Sequence, residues 1–329
     1  MISEKEEVSI LIFFSKLGFY IGFIRIKYSG LFYVCFVFLT IFAKIFCLKN
    51  LSEAIRFMLL STLAFALMNA IIKELNHYSP FQLVFFRSIG SLFFTTIFLK
   101  YNKISFRGNK MSLLIYRGLV GVTSMILFFA SVQFISVGSA VTLRYVAPLF
   151  AAILAVIFLK EKILPLQWFF FIIAFIGVVL IKDFDSTSSK VGVAFAIGAA
   201  FFSSIVYILI SKIGHQDHPV IVVHYFMGIA TIVGGIGTLF YWIKPVDLVD
   251  WMLLFSLGIF GYFGQLFMTK AFQFGQAYMI APFKYVEVVF TLSLGIFYFQ
   301  EVYTFWNLLG TALVIVSLSL NVIYKSRKG

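Results

Sequence analysis

The segment from Gly118 to Glu161 returns 140 residues later, without a gap, as Gly258 to Glu301. In that register Gly118 meets Gly258 and Gly121 meets Gly261. Gln133-Phe134 meets Gln273-Phe274, Arg144-Tyr145 meets Lys284-Tyr285, Leu154 meets Leu294, and Glu161 meets Glu301. Charges, glycines and apolar runs all keep step. Upstream, Asn69-x3-Lys73 with Pro80 is echoed one residue out of register by Lys212 and Pro219. Solenoid units repeat every 20 to 50 residues or so. A period this long instead reads as duplication of half a membrane protein.

The stretches between these landmarks are apolar on every face, which is the habit of a membrane helix rather than of a half-exposed soluble one. The chain is 62% hydrophobic and only 12% charged, with a mean hydropathy of +1.03. Soluble domains run near half apolar and a quarter charged. A net charge of +13 would point to nucleic acid in a soluble chain. Here the lysines and arginines sit in short loops, where they set membrane orientation, and no nucleic-acid partner is expected. Cys35 and Cys47, the only cysteines, precede the repeat, so the core has no cysteine for a disulfide or a metal. No metal or other cofactor is expected.

Ten apolar runs, each about the length that crosses the hydrocarbon core, fill the repeated region: Ala54–Asn76, Phe81–Leu99, Ser112–Ile135, Gly138–Leu159, Leu166–Ile181, Val191–Ile213, Val220–Trp242, Trp251–Phe274, Ala277–Phe299 and Phe305–Tyr324. The expected fold is an all-α integral membrane bundle of ten transmembrane helices, with five-helix halves at 54–182 and 191–324. Alternate loops carry ten basic residues (Lys100, Lys103, Arg107, Lys110, Lys160, Lys162, Lys212, Lys325, Arg327, Lys328) against four (Lys73, Lys182, Lys190, Lys244). The richer side faces the cytoplasm, which puts the C-terminus inside. Five is odd, so the halves lie in opposite orientations, an inverted repeat. Residues 1–53 have no counterpart in the repeat. Their apolar stretches, Val8–Ile24 and Ser29–Leu48, read as two extra spans, as one, or as a non-essential extension from an upstream start codon.

Several short pieces resemble a known family. They are Phe85-Phe86-Arg87, Ala147-Pro148-Leu149-Phe150, Phe158-Leu159-Lys160-Glu161 and Phe175-Ile176-Gly177-Val178-Val179-Leu180, with Glu301 and Gly310 in the looser second half. Over residues 54–324 or so the chain resembles the EamA-type transporters of the drug/metabolite transporter superfamily. The resemblance implies a ten-helix transporter, mostly an exporter of amino acids, other metabolites or drugs, and is nearly silent on substrate.

Ionisable side chains inside a span cost about 2.5–3.5 kcal/mol at mid-membrane on insertion scales, so each is a candidate for function. Arg87 lies about 10 Å into its helix by helical rise, and Arg144 sits at a similar depth; both belong to the outer half. Lys284, the repeat partner of Arg144, belongs to the inner half. Glu287 is one turn beyond Lys284 on the same face, and its repeat partner is Ala147. His224, Gln265, Tyr145 and Tyr285 complete the candidate substrate-binding set, in a cavity assigned to runs two, four, seven, eight and nine. The charges Arg87, Arg144 and Lys284 against Glu287 leave a net of +2, which favours a substrate with a carboxylate. Snorkelling arginines, a purely structural Lys284–Glu287 pair and a packing role for His224 are the plainer readings.

The expected function is a secondary transporter, an exporter, of a small carboxylate-bearing metabolite such as an amino acid, with protons as the coupling ion through Glu287 and His224. The expected setting is the bacterial cytoplasmic (inner) membrane, as monomer or homodimer among membrane lipid. A lipid or lipid-linked sugar translocase is the alternative. No paired loop carboxylates, metal-ligand spacing or glycine-rich phosphate loop points to an enzyme.

Overall fold

A computed structural model describes residues 53–75, 77–132, 134–135, 140, 143–181, 189–298 and 305–328, all within the compact unit Phe42–Gly329. The two N-terminal apolar stretches, both cysteines, Gln133, Gly138, Lys182 and Glu301 lie outside the described residues.

Among the described residues the regular structure is helical throughout. In order the helices are α1 (Glu53–Glu74), α2 (Pro80–Tyr101), α3 (Met111–Val132), α4 (Ala147–Phe158), α5 (Pro165–Ile181), α6 (Lys190–Ile213), α7 (Pro219–Phe240), α8 (Leu248–Phe274), α9 (Ala277–Ile280), α10 (Val286–Phe297) and α11 (Phe305–Lys328). Helices α2, α5 and α7 open on proline. Proline fits the first helical position because its missing N–H has no partner there in any case. Asp247 caps α8, its carboxylate accepting from the Asp250 N–H at 2.8 Å.

Seven helical stretches among the described residues are long and apolar enough to cross a membrane. Their side chains are arranged inside out relative to a soluble protein. Ile232, Ile236 and Leu239 of α7 are 65, 56 and 83% exposed, whereas Ser61, Thr62, Gln82, Ser91, Thr95 and Gln167 are fully or almost fully buried. Lipid offers no hydrogen bonds, so polar groups must find partners within the protein. The Ser61 hydroxyl donates to the Gly264 carbonyl at 2.8 Å, Ser91 to the Gly258 carbonyl at 2.9 Å, and Gln167 to Asn321 at 3.0 Å.

The helices pair across the two halves. α1 packs on α8 and α3 on α6; α2 packs on α7 and α5 on α11. Exchanging the halves, helix for helix, maps this pattern onto itself. The repeated glycines make equivalent contacts within it. A β-carbon on Gly258 would come within 2.6 Å of the Gly90 Cα on α2, and one on Gly118 within 2.5 Å of the Ile229 side chain on α7. Small residues at such crossings let helix backbones approach.

Two expected continuous runs are broken. The ninth consists of the short α9, a 3-10 segment Ala281–Tyr285 holding Pro282, and then α10. In the fourth, Ala140, Leu143 and Arg144 are helical, a turn follows at Tyr145 and Val146, and α4 then starts at Ala147 with Pro148 in its first turn. Proline supplies no N–H to the preceding turn and clashes with its carbonyl, so the chain restarts rather than merely bending. The Glu161 carboxylate, just past α4, accepts the N–H groups of Ala277 and Tyr278 at 3.0 and 3.1 Å. It satisfies the open amide end of α9 from the other half.

Candidate functional site

A cavity of about 100 Å3 opens between the halves. α1 contributes Phe65, Met68, Asn69 and Ile72; α2 contributes Arg87; α3 contributes Arg117, Gly121, Ser124, Met125, Phe128 and Phe129. Arg144 enters just ahead of α4, Tyr207 comes from α6, Phe226 from α7, Gln265 from α8, and Lys284 from the 3-10 segment. The sequence reading assigned the cavity to runs two, four, seven, eight and nine; α1, α3 and α6 line it as well.

One carboxylate organises the charges. Glu287, in the first turn of α10, is fully buried. Its Oε2 holds the Lys284 ammonium at 2.6 Å, and its Oε1 accepts from the Asn69 amide at 2.8 Å. Arg144 Nη2 stands 3.8 Å from the same Oε1. Arg144 and Lys284, placed by the sequence at different depths, therefore meet on one group. The break before α10 brings this about, because a 3-10 turn ending at Tyr285 sets Lys284 against the first turn of the next helix. One turn on, the Thr291 hydroxyl donates to the Glu287 carbonyl at 2.8 Å.

Aromatic faces support the remaining cations. Arg117 Cζ lies 4.1 Å from the Phe226 ring centroid and Arg144 Cζ 4.6 Å from that of Phe128. Lys284 Nζ and Arg87 Cζ share the Phe65 ring, 4.1 and 5.9 Å from its centroid. Such contacts contribute about 0.5–2 kcal/mol each, less than the insertion cost of a charge. They offset part of that cost and leave the rest to be met by another group.

The other predicted residues divide. Gln265 is in the cavity, its Oε1 accepting from Arg117 Nη2 at 3.0 Å. Arg87 is also there; its Nη1 donates to the Met125 sulfur at 3.6 Å. Tyr145 and Tyr285 are buried behind the charges, in a T-shaped pair 6.2 Å apart that packs with Ala174, Val288 and Val314. His224 is not brought to the cavity. Its Nδ1 lies 2.9 Å from the Thr95 hydroxyl and its ring 5.3 Å from that of Phe106, because it sits in the second turn of α7, beside the far end of α2. Further along α8, Gln273 donates to the carbonyls of Gly214 and Asp217 in the loop before α7.

Arg117 is the residue that sequence reasoning missed. It is fully buried and lies six residues into α3, well inside an apolar run. The rule that singles out intramembrane charges applies to it as much as to Arg87. It went unseen because it stands one position ahead of the repeated block and its register partner is Leu257.

The profile of the EamA-like transporter family matches residues 52–182 and again 190–323. The chain belongs to the EamA-like transporter family. Its relatives include the pseudopaline exporter CntI of Pseudomonas aeruginosa, 25% identical over 82% of this chain and 96% of that one. The human solute carrier family 35 member G1 is 30% identical over 79% of this chain and 76% of its own. The S-adenosylmethionine uptake transporter of Rickettsia bellii is 27% identical over 85 and 97%. A protein of known crystal structure superimposes with a TM-score of 0.74 over 83% of this chain and 99% of that one, at 13% identity; that likeness speaks to fold alone. This EamA-family protein is thus an integral membrane transporter with two family domains in tandem, and its relatives carry small molecules.

Proposed function

We propose that this transporter is a secondary-active exporter of a small carboxylate-bearing metabolite, an amino acid or a related acid. It works by alternating access between two inverted five-helix halves, 54–182 and 191–324, about the charged cavity. The single observation that carries the reading is the cluster of Arg144, Lys284 and Glu287 at that cavity, a cationic surplus walled by helices of both halves. The exchange symmetry of the helix pairs supports the inverted arrangement, and the pseudopaline exporter among the relatives supports the outward direction. The loop charges support a cytoplasmic C-terminus, and a bacterial inner membrane is the setting proposed. Protons are the proposed coupling ion, with Glu287 as carrier. His224, away from the cavity, has no direct part in binding.

The test is uptake and efflux of a labelled metabolite panel in proteoliposomes, with Lys284→Ala beside the native protein. Transport of carboxylate-bearing compounds that Lys284→Ala abolishes supports the reading. A preference for neutral or cationic compounds, with Lys284→Ala unchanged, overturns it. Glu287→Gln in the same assay tests coupling: transport with an unaltered pH dependence rules out the proton role.

A lipid or lipid-linked sugar translocase is the second reading. A larger, mostly apolar cavity of about 570 Å3 lies among α2, α3 and α7, and shares Met125 and Phe129 with the charged one. Lipid that stays bound through purification, and that competes with no carboxylate, would favour this reading.

A further inference from the structure

This inference rests on the anion-transport reading and narrows its substrate. Arg87, Arg117, Arg144 and Lys284 line one cavity, and Glu287 is the one carboxylate among the described residues in contact with any of them. Arg117 thus raises the surplus from the +2 read in the sequence to +3. Glu287 is also already engaged: Lys284 holds one oxygen, and Asn69 and Arg144 approach the other. The charge of Glu287 is absorbed at the Lys284 end of the cavity.

The Arg87–Arg117 side of the cavity is different. Arg117 is completely buried, with one neutral partner in Gln265. Its Nε and Nη1, and the Nε of Arg87, are buried without a hydrogen-bond partner among the described residues. A guanidinium carries its N–H groups in a planar fork that binds a carboxylate or phosphate in a two-pronged fashion. Two glycines make room for this end. A β-carbon on Gly261 would press on the Arg87 side chain at 2.9 Å, and one on Gly121 would stand 3.3 Å from Arg117 Nη1.

We infer that Arg87 and Arg117 form a second anion subsite, so that the substrate is a small molecule with two acidic groups, one for this subsite and one for the Arg144–Lys284 end. A zwitterion or monoanion leaves one end with a buried, unpaired charge; a dianion engages both. Arg117 is then the residue that sets the charge class of the cargo.

The test uses malonate, succinate and glutarate as probes, with acetate and alanine as controls, at constant ionic strength. Binding is read from thermal unfolding of the purified full chain in detergent, for the native protein, Arg117→Gln and Arg87→Gln. The expected result is that at least one dicarboxylate stabilises the native protein beyond acetate and alanine. Arg117→Gln weakens its half-saturation by about tenfold or more, as loss of a charged two-pronged contact should, while the acetate shift is unchanged. Should Arg117→Gln not fold, Arg87→Gln carries the same expectation, since Arg87 faces the cavity and is only partly buried. Equal shifts for acetate and the dicarboxylates, or a dicarboxylate excess that survives both substitutions, overturn the inference. Proteoliposome transport separates the two claims. Alanine transport that is lost in Lys284→Ala and unchanged in Arg117→Gln overturns the two-charge inference and leaves the transport reading standing. Arg117-dependent dicarboxylate binding without Lys284-dependent transport does the reverse.

Discussion

Arg144-Tyr145 in the first half and Lys284-Tyr285 in the second occupy the same place in the repeat, yet three residues on they part. The first half has Ala147, almost fully buried, and the second has Glu287, fully buried. The backbone device is shared. Both chains are interrupted at this point and restart as twelve-residue helices, although the prolines fall on different sides of the interruption, Pro148 after it and Pro282 within it. The tyrosines face each other across the halves. The two halves share the break and the aromatic pair. The charge on the cavity face diverges, so that one half brings a cation alone and the other a cation with its counter-charge.

The strongest way to break this asymmetry is to remove the counter-charge. Glu287→Ala strands Lys284 and Arg144 together, and stranding one member of a buried ion pair costs about 3–5 kcal/mol. Thermal unfolding in detergent should show a large drop, and Lys284→Met in the same chain should recover part of it. No recovery would mean that Glu287 serves Asn69 and the backbone rather than the cations.

The repeated glycines sharpen the comparison at the next level. Gly258→Ala drives a methyl into the Gly90 backbone, and overpacking of that kind costs about 1–3 kcal/mol. Gly118→Ala presses closely on just the terminal methyl of Ile229, its other neighbours standing at ordinary contact distance; that methyl can rotate away, so the cost should stay under about 1 kcal/mol on the same scale. Equal losses at the two positions would mean that the α2–α8 and α3–α7 crossings are equally rigid.

Glu161→Gln keeps an acceptor at the start of α9 but removes its charge. Hydrogen bonds to charged groups contribute about 1.5–3 kcal/mol against about 1 for neutral ones, so a loss near 1 kcal/mol is expected in the same unfolding assay. Smallest of all, His224→Asn should leave the transported set unchanged in proteoliposomes, because the side chain is turned to Thr95 and Phe106. A change of substrate preference there would return His224 to the site.

Much of the molecule was legible because lipid is a demanding solvent. Apolar runs of membrane length, loop charges and a repeated register of glycines and charges each follow from one-dimensional rules, and the family motifs lay in the same runs. Arg87, Arg144, Lys284, Glu287 and Gln265 were legible as polar residues that an apolar helix does not otherwise tolerate. Reading outward from the repeat passed over Arg117, whose partner Leu257 bears no charge, and took in Tyr145 and Tyr285, which pair with each other behind the charges. His224 was legible as a polar residue within an apolar run, but that says nothing about which neighbour it meets.

What the amino-acid order determined by itself is the membrane class, the halves as units of sequence and the presence of a cationic surplus, since hydropathy and charge are properties of residues one at a time. What only the tertiary structure decided is which charges share a cavity. Arg144 and Lys284 are 140 positions apart and converge on one carboxylate, Asn69 reaches it from α1, and Arg117 faces Gln265 from another helix. These meetings depend on side chains some 6 Å long crossing between helices whose axes lie roughly 8–10 Å apart, and no local pattern encodes the partner at the far end.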